Sequence, residues 1–307
     1  MPLTYQHYPF TPILGWSISR YEVFDKCKRQ YFYNYYPKYI PDIPQYKIKQ
    51  LKAMTSVPLE VGNVVHDIIE VFLRRLQKSD SNIDENRFFV FAHEKAEKAF
   101  SEKTFIEHYY ASGRTVSAED AYAKITACLK NFIGSPCYSW IFMKAIRNKN
   151  DWLIEPPGYG ETRLNGLKAY CKMDFLFPVD DEVHILDWKT GSRDTYKHSN
   201  QLLGYAAAAH NNFNIPWNTI FPKIVYLYPK FDEFECNVST DNADFFQKVQ
   251  QQTDEMYAFC SDVANNIPLP MEHFPMTPSQ GMCSYCNYQE LCFPAKKGAS
   301  AITENTF

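Results

Sequence analysis

Apolar residues recur at helical spacing through several stretches of the chain and at every second position through another, so helices and strands are both predicted. Ile18, Tyr21, Phe24 and Tyr31 form an apolar stripe, with Ser17 or Ser19 placed to cap it, which predicts a helix over 17–36. Pro37, Pro41 and Pro44 then mark a loop. After a turn expected around Gly62, Val64, Val65, Ile68, Ile69, Phe72 and Leu73 describe the buried side of a second helix. Residues 85–150 read as mostly helical, and Gly158 and Gly160 open a β region.

From 161 to 190 the period changes to two, with an acidic turn at 178–182, and predicts two or three antiparallel strands. KMDFLF places Asp174 in one of them. A short alanine-rich helix is expected over 200–210, a strand pair over 220–228 and 233–238 across the Pro229 turn, and a helix over 243–265. A proline-rich loop leads to a cysteine-rich tail at 270–295. With no internal repeat and no low-complexity linker, the economical prediction is one α/β domain over 1–307, carrying a helical insertion at 71–160.

Composition narrows the class. The 307 residues are 45% hydrophobic and 22% charged, as in globular proteins rather than disordered ones. Twenty-two Tyr and 23 Phe supply core mass first, and stacking surfaces second. A net charge of −3 argues against a passive nucleic-acid coat, but local patches set the field in a cleft. Such patches are Lys26, Lys28 and Arg29, then Lys47, Lys49 and Lys52, then Arg74 and Arg75. The opening MPLTYQHYPF lacks a signal-peptide pattern, and no apolar run approaches the ~18 residues of a membrane span. A cytoplasmic protein with reduced thiols and no membrane partner is therefore expected.

Nine cysteines then need another explanation than disulfides. Cys128, Cys137, Cys171, Cys236 and Cys260 are scattered in apolar or mixed segments and read as small buried hydrophobes. Cys283, Cys286 and Cys292 instead form CxxCxxxxxC near the C-terminus. Two thiolates in a tight turn can face one metal centre and the third can close it, which leaves one ligand to find. Cys27, in CKRQYFYNYY, is the candidate. The site would tie together segments separated by most of the chain. Spacing alone fits zinc or an iron–sulfur cluster.

A second constellation is acidic. In HILDWKT, Asp187 and Lys189 share one face of a strand because side chains alternate, and Asp174 on the neighbouring strand can reach that face. Carboxylates suit a hard cation such as Mg²⁺ or Mn²⁺, and an adjacent ammonium can stabilise developing negative charge. DxK alone is short and common, and is more often an exposed ion pair. Two other features accompany it here. His66 lies one turn before Glu70 and is a candidate metal ligand. Gln201 and Tyr205 stand at i and i+4, on one helical face.

In this order the residues resemble the RecB-like branch of the PD-(D/E)xK nucleases. WSISRYEVFDKCKRQYFYNYY is similar to that family's N-terminal helix, GNVVHDIIE to its G-x-x-x-H motif, KMDFLF and ILDWKTG to its aspartate and DxK motifs, and QLLGY to Q-x-x-x-Y. CSYCNYQELC resembles the tail that completes a 4Fe–4S site in relatives of the AddB subunit and of the CRISPR spacer-acquisition nuclease. The resemblance implies a restriction-endonuclease-like fold, a central mixed sheet flanked by helices, with the cluster clasping the N- and C-terminal segments. It implies His66, Asp174 and Asp187 as ligands to Mg²⁺ or Mn²⁺, and Lys189 as the catalytic lysine supported by Gln201 and Tyr205. Glu161 stands where the family often has a glutamate; it and Glu70 are candidate supporting residues. Cys27, Cys283, Cys286 and Cys292 would hold 4Fe–4S, with zinc the alternative.

Two positions depart from the family pattern, Cys171-Lys172 where a glycine is common and Lys28 where a proline is usual; neither removes a catalytic group. The implied activity is a DNA exonuclease on single strands or ends, in repair, recombination or phage- or CRISPR-related processing. The alternative is a non-cleaving iron–sulfur scaffold that binds DNA within a larger complex. No GxxxxGK[ST] phosphate loop is present, so a helicase or a CRISPR or recombination protein would be a partner.

Overall fold

The alternating stretches build one five-stranded sheet, and Asp187 and Lys189 lie on one of its inner strands. The structure is a computed structural model that describes residues 6–293 except 80, 82, 111–116, 156–159, 237, 239–241 and 279. The helices are α1 (Ile18–Lys26), α2 (Lys28–Tyr35), α3 (Gln45–Ala53), α4 (Val57–Lys78), α5 (Glu85–Glu102), α6 (Ile106–Tyr109), α7 (Ala118–Ile133), α8 (Pro136–Met143), α9 (Thr195–Phe213), α10 (Ala243–Tyr257), α11 (Gln280–Cys283) and α12 (Gln289–Cys292). The strands are β1 (Leu153–Ile154), β2 (Glu161–Leu164), β3 (Leu167–Tyr170), β4 (Phe175–Val179), β5 (Glu182–Lys189), β6 (Ile220–Tyr226), β7 (Asp232–Glu235), β8 (Cys260–Asp262) and β9 (Ile267–Pro268).

The sheet runs β1-β4-β5-β6-β7. The β5–β6 pair is parallel and the other three pairs are antiparallel. Parallel neighbours need a crossover, and α9 supplies it. β2–β3 and β8–β9 form separate two-stranded pairs. Period-two alternation divides the core between the two faces of the sheet. Val183, Ile185, Leu176 and Ile224 pack into one cluster with α9, α1 and α2. Phe175, Phe177, Leu186, Trp188 and Val225 pack into the other with α4, α5, α7 and α8. The architecture is the expected central mixed sheet flanked by helices.

Several element boundaries differ from the sequence expectation, each for a local reason. The single helix expected over 17–36 is two helices, because Cys27 is extended at φ −159 and ψ 109. Its N–H still bonds the Val23 carbonyl at 3.0 Å and its own carbonyl accepts from Tyr31 at 3.0 Å, so Cys27 closes one helix and opens the next. Gly62 stands inside α4 instead of at a turn. A mid-helix glycine costs about 1 kcal/mol, far less than the burial of the Val, Ile, Phe and Leu stripe recovers.

The helix expected over 200–210 runs from Thr195 to Phe213, started by the Asp194 side chain on Lys197 N–H and ended by Asn214 at φ 54. The helix expected over 243–265 stops at Tyr257, and β8 and β9 follow. Asp174 immediately precedes β4. Gly158 lies outside the described residues.

Candidate metal centre and cysteine cavity

The acidic site is assembled by strand pairing. Trp188 is fully buried, its ring 5.2 Å from Phe132 at 76°, which anchors β5 against α7. The main chain at Lys189 is held by a bond from Leu227 N–H to its carbonyl at 2.8 Å. Alternation then turns Asp187 and Lys189 to the α9 side of the sheet. Asp174 reaches the same place from the start of β4, where its carboxylate accepts the Trp188 N–H at 2.9 Å.

Around this pair the polar side chains are linked to one another. Asp187 and Lys189 form an ion pair. Tyr205 Oη donates to Asp187 Oδ1 at 2.6 Å, and Gln201 Nε2 donates to the same oxygen at 3.1 Å. Gln201 also donates to Tyr205 Oη at 2.5 Å. The predicted i, i+4 pair thus serves one carboxylate from one face of α9. His66 Nδ1 lies 3.2 Å from Asp174 Oδ2.

The carboxylates differ in environment. Burial opposes ionisation of both, but His66 holds Asp174 below the usual carboxylate range. Asp187 is pushed above that range, by burial and then by the charge on Asp174. For His66, burial opposes protonation and Asp174 outweighs it, which raises the imidazole to about 9. Two nearby acids held apart in this way are a mark of functional sites.

One member was not legible from sequence. Glu155, just past β1 and at φ 46, brings its carboxylate within 4.8 Å of ligand atoms on His66 and Asp174. Lys172 pairs with it. An imidazole and two carboxylates within that span suit Mg²⁺ or Mn²⁺; the predicted ligand Asp187 is not among these three residues. The two candidate supporting glutamates are engaged elsewhere. Glu70 accepts from Arg74 at 2.7 Å, and Glu161 accepts from Arg163 at 2.9 Å.

A further pair stands beside the lysine. His198, buried, is hydrogen-bonded through Nδ1 to the Tyr226 hydroxyl, and Tyr226 sits opposite Lys189 in the β5–β6 register. Burial, then the charge of Lys189, lowers His198 to about 4. Neither residue carries a pattern signal, since His198 lies on a helix face and Tyr226 in a strand of ordinary composition.

The four cysteines line one cavity, together with Tyr33, Tyr288 and Phe293. The break at Cys27 presents one thiol; α11, α12 and the turn between them present Cys283, Cys286 and Cys292. The tail is fixed to the N-terminal helices by polar contacts. Tyr288 Oη donates to Asn34 at 2.7 Å, Asn287 donates to the Leu51 and Met54 carbonyls at 2.9 and 2.8 Å, and Lys47 pairs with Glu290 at 2.7 Å. Burial pushes Cys286 up to about 12, and burial with the charge of Cys27 raises Cys292. The Tyr288 N–H already donates to Cys286 Sγ at 3.5 Å, a bond that suits a thiolate. Four clustered thiols, with Cys286 and Cys292 held protonated by burial, are the donor set a metal or cluster would deprotonate together.

Cys128, Cys137 and Cys171 are buried, as read from sequence, whereas Cys236 and Cys260 are only partly so. No helix among the described residues is long and apolar enough to cross a membrane.

The crystal structure of SSO0001 is similar over 69% of this chain and 96% of its own, at 16% identity and a TM-score of 0.27, too distant to carry an argument. No curated protein compared with the chain matches it. A family model described as the PD-(D/E)XK nuclease superfamily matches residues 15–293, a span that holds both the acidic site and the cysteine cavity. The chain belongs to the PD-(D/E)XK nuclease superfamily.

Proposed function

We propose that the chain is a Mg²⁺- or Mn²⁺-dependent deoxyribonuclease, acting as an exonuclease on single strands or DNA ends. One observation carries the reading: Asp174, Asp187, His66 and Glu155 converge beside Lys189 from four separate segments of the chain. A structural ion pair needs two groups, and here five gather.

His66, Asp174, Asp187 and Glu155 would hold the cation. When bound, it supplies a hydrolytic water of lowered pKa and offsets charge on the scissile phosphate. Lys189 orients the attacking oxygen and balances negative charge that develops on the phosphate. Tyr205 and Gln201 fix one oxygen of Asp187, which leaves the other turned to Lys189. Trp188 N–H fixes Asp174 in the same way.

The four cysteines would hold a 4Fe–4S cluster, with zinc as the alternative, clasping α1, α2 and the tail in one domain over 1–307. In that arrangement residues 71–160 are a helical insertion. Repair, recombination or phage- or CRISPR-related processing in the cytoplasm is the setting such an activity fits, with unwinding supplied by a partner helicase. End-labelled single- and double-stranded DNA, incubated with each metal, tests the reaction. An intact Asp187→Ala protein that cleaved at the wild-type rate would sink the assignment.

A further inference from the structure

The cleft that Lys189 faces has a second cavity beside it. The first is lined by Lys172, Lys189, Gln201 and Tyr205, the second by Tyr21, Lys26, Tyr196 and Lys248. Trp16, Ile18, Glu22 and Lys197 line both. Within that shared set Lys197 Nζ donates to Glu22 at 2.9 Å. The wall between the two spaces is therefore Trp16, Ile18 and this ion pair, which joins α9 to α1. Its side chains are 42% and 28% exposed, and exposed ion pairs add little to stability. A phosphate chain can compete with Glu22 for the Lys197 ammonium.

The far cavity has its own chemistry. Tyr196, in the first turn of α9, is 73% exposed. Lys248 Nζ lies 4.4 Å from the centre of that ring and 2.9 Å from its hydroxyl. An exposed aromatic face with an ammonium beside it is how single strands are held without regard to sequence, bases on the ring and phosphates on the cation. Asp25 and Asp194 also line the cavity, and Asp194 is engaged in capping α9.

We propose that the two cavities form one groove for a single DNA strand, which leaves the cleavage centre, displaces Glu22 from Lys197 and stacks on Tyr196. This rests on the nuclease reading and adds a path for the uncleaved part of the strand. Stacking and charge at a second station mean that affinity depends on strand length.

Binding of fluorescein-labelled oligo(dT) of 4, 8, 12 and 16 nucleotides to the full chain in chelator, which prevents cleavage, tests this by anisotropy. Wild-type affinity rises with length. Tyr196→Ala combined with Lys248→Ala weakens the 16-mer about tenfold and leaves the 4-mer unchanged. Glu22→Gln, which frees Lys197 and removes a repelling carboxylate, tightens the longer strands. Oligonucleotides that bind all proteins alike, or a loss equal at every length, overturn the second station and leave the nuclease reading standing. No binding at any length, by a protein that also fails to cleave, overturns both.

Discussion

Glu155 lies beside Asp174 across the β1–β4 edge: its N–H donates to the Asp174 carbonyl at 2.9 Å, and the two carboxylates close on His66. The register that pairs Ile154 with Phe175 sets this relationship. It brings a third acid to a group in which Asp174 has His66 and Asp187 has Lys189 as cationic partners. Lys172 performs the same service for Glu155.

Glu155→Gln should therefore weaken the cation more than it disturbs the chemistry. The Mn²⁺ concentration for half-maximal cleavage is expected to rise about tenfold, with the rate at saturating metal less affected. A titration with an unchanged midpoint would remove Glu155 from the ligand set.

The Asp187 network makes a graded prediction. Lys189→Met should lower single-turnover cleavage by about 10²-fold or more, since a group aimed at developing charge is lost. Tyr205→Phe should cost less in rate, and about 1 kcal/mol in urea unfolding, because Asp187 keeps Gln201 but loses its shortest neutral donor. Equal rate losses for the two variants would contradict these separate roles.

What the sequence made legible follows its local periods. Alternation in HILDWKT put Asp187 and Lys189 on one face, and i, i+4 spacing put Gln201 and Tyr205 on another, and both pairs meet as expected. The break at Cys27 was invisible because no glycine or proline announces it; the backbone opens there while both flanking helices keep their hydrogen bonds. Glu155 was invisible for a different reason. Its neighbours are set by a strand register between distant segments, and nothing in its own surroundings distinguishes it from a loop acid.

His198 gives a pH dependence with a definite sign. Its folded value, about 4, lies below the ordinary ~6.5 of an unfolded imidazole. Protonation then favours the unfolded chain, so the stability of the neutral form is fully present above about pH 6.5 and is lost as pH falls towards 4. His198→Gln, which can still bond the Tyr226 hydroxyl, should flatten this slope. Urea midpoints at pH 7.5, 5.5 and 4.5 measure it; parallel slopes for both proteins would show that His198 is not the source.

The cysteine cavity and the acidic site should respond independently to mutation. Cys286 is the thiol whose ionisation burial opposes up to about 12, and the Tyr288 N–H is already aimed at its sulfur. Protein purified anaerobically should be brown, with broad absorption near roughly 400 nm and bound iron. Cys286→Ser should abolish the colour and lower Tm by roughly 5 °C or more, because the proposed cluster that would tie the tail to Cys27 loses a ligand while Tyr288 and Asn287 still dock the tail. Cleavage per folded molecule should fall far less than in Lys189→Met, since no cysteine of the cavity takes part in the hydrogen bonds around Asp187. Stoichiometric zinc without iron would reassign the metal, and a colourless variant as stable as the parent would remove the clasp role altogether.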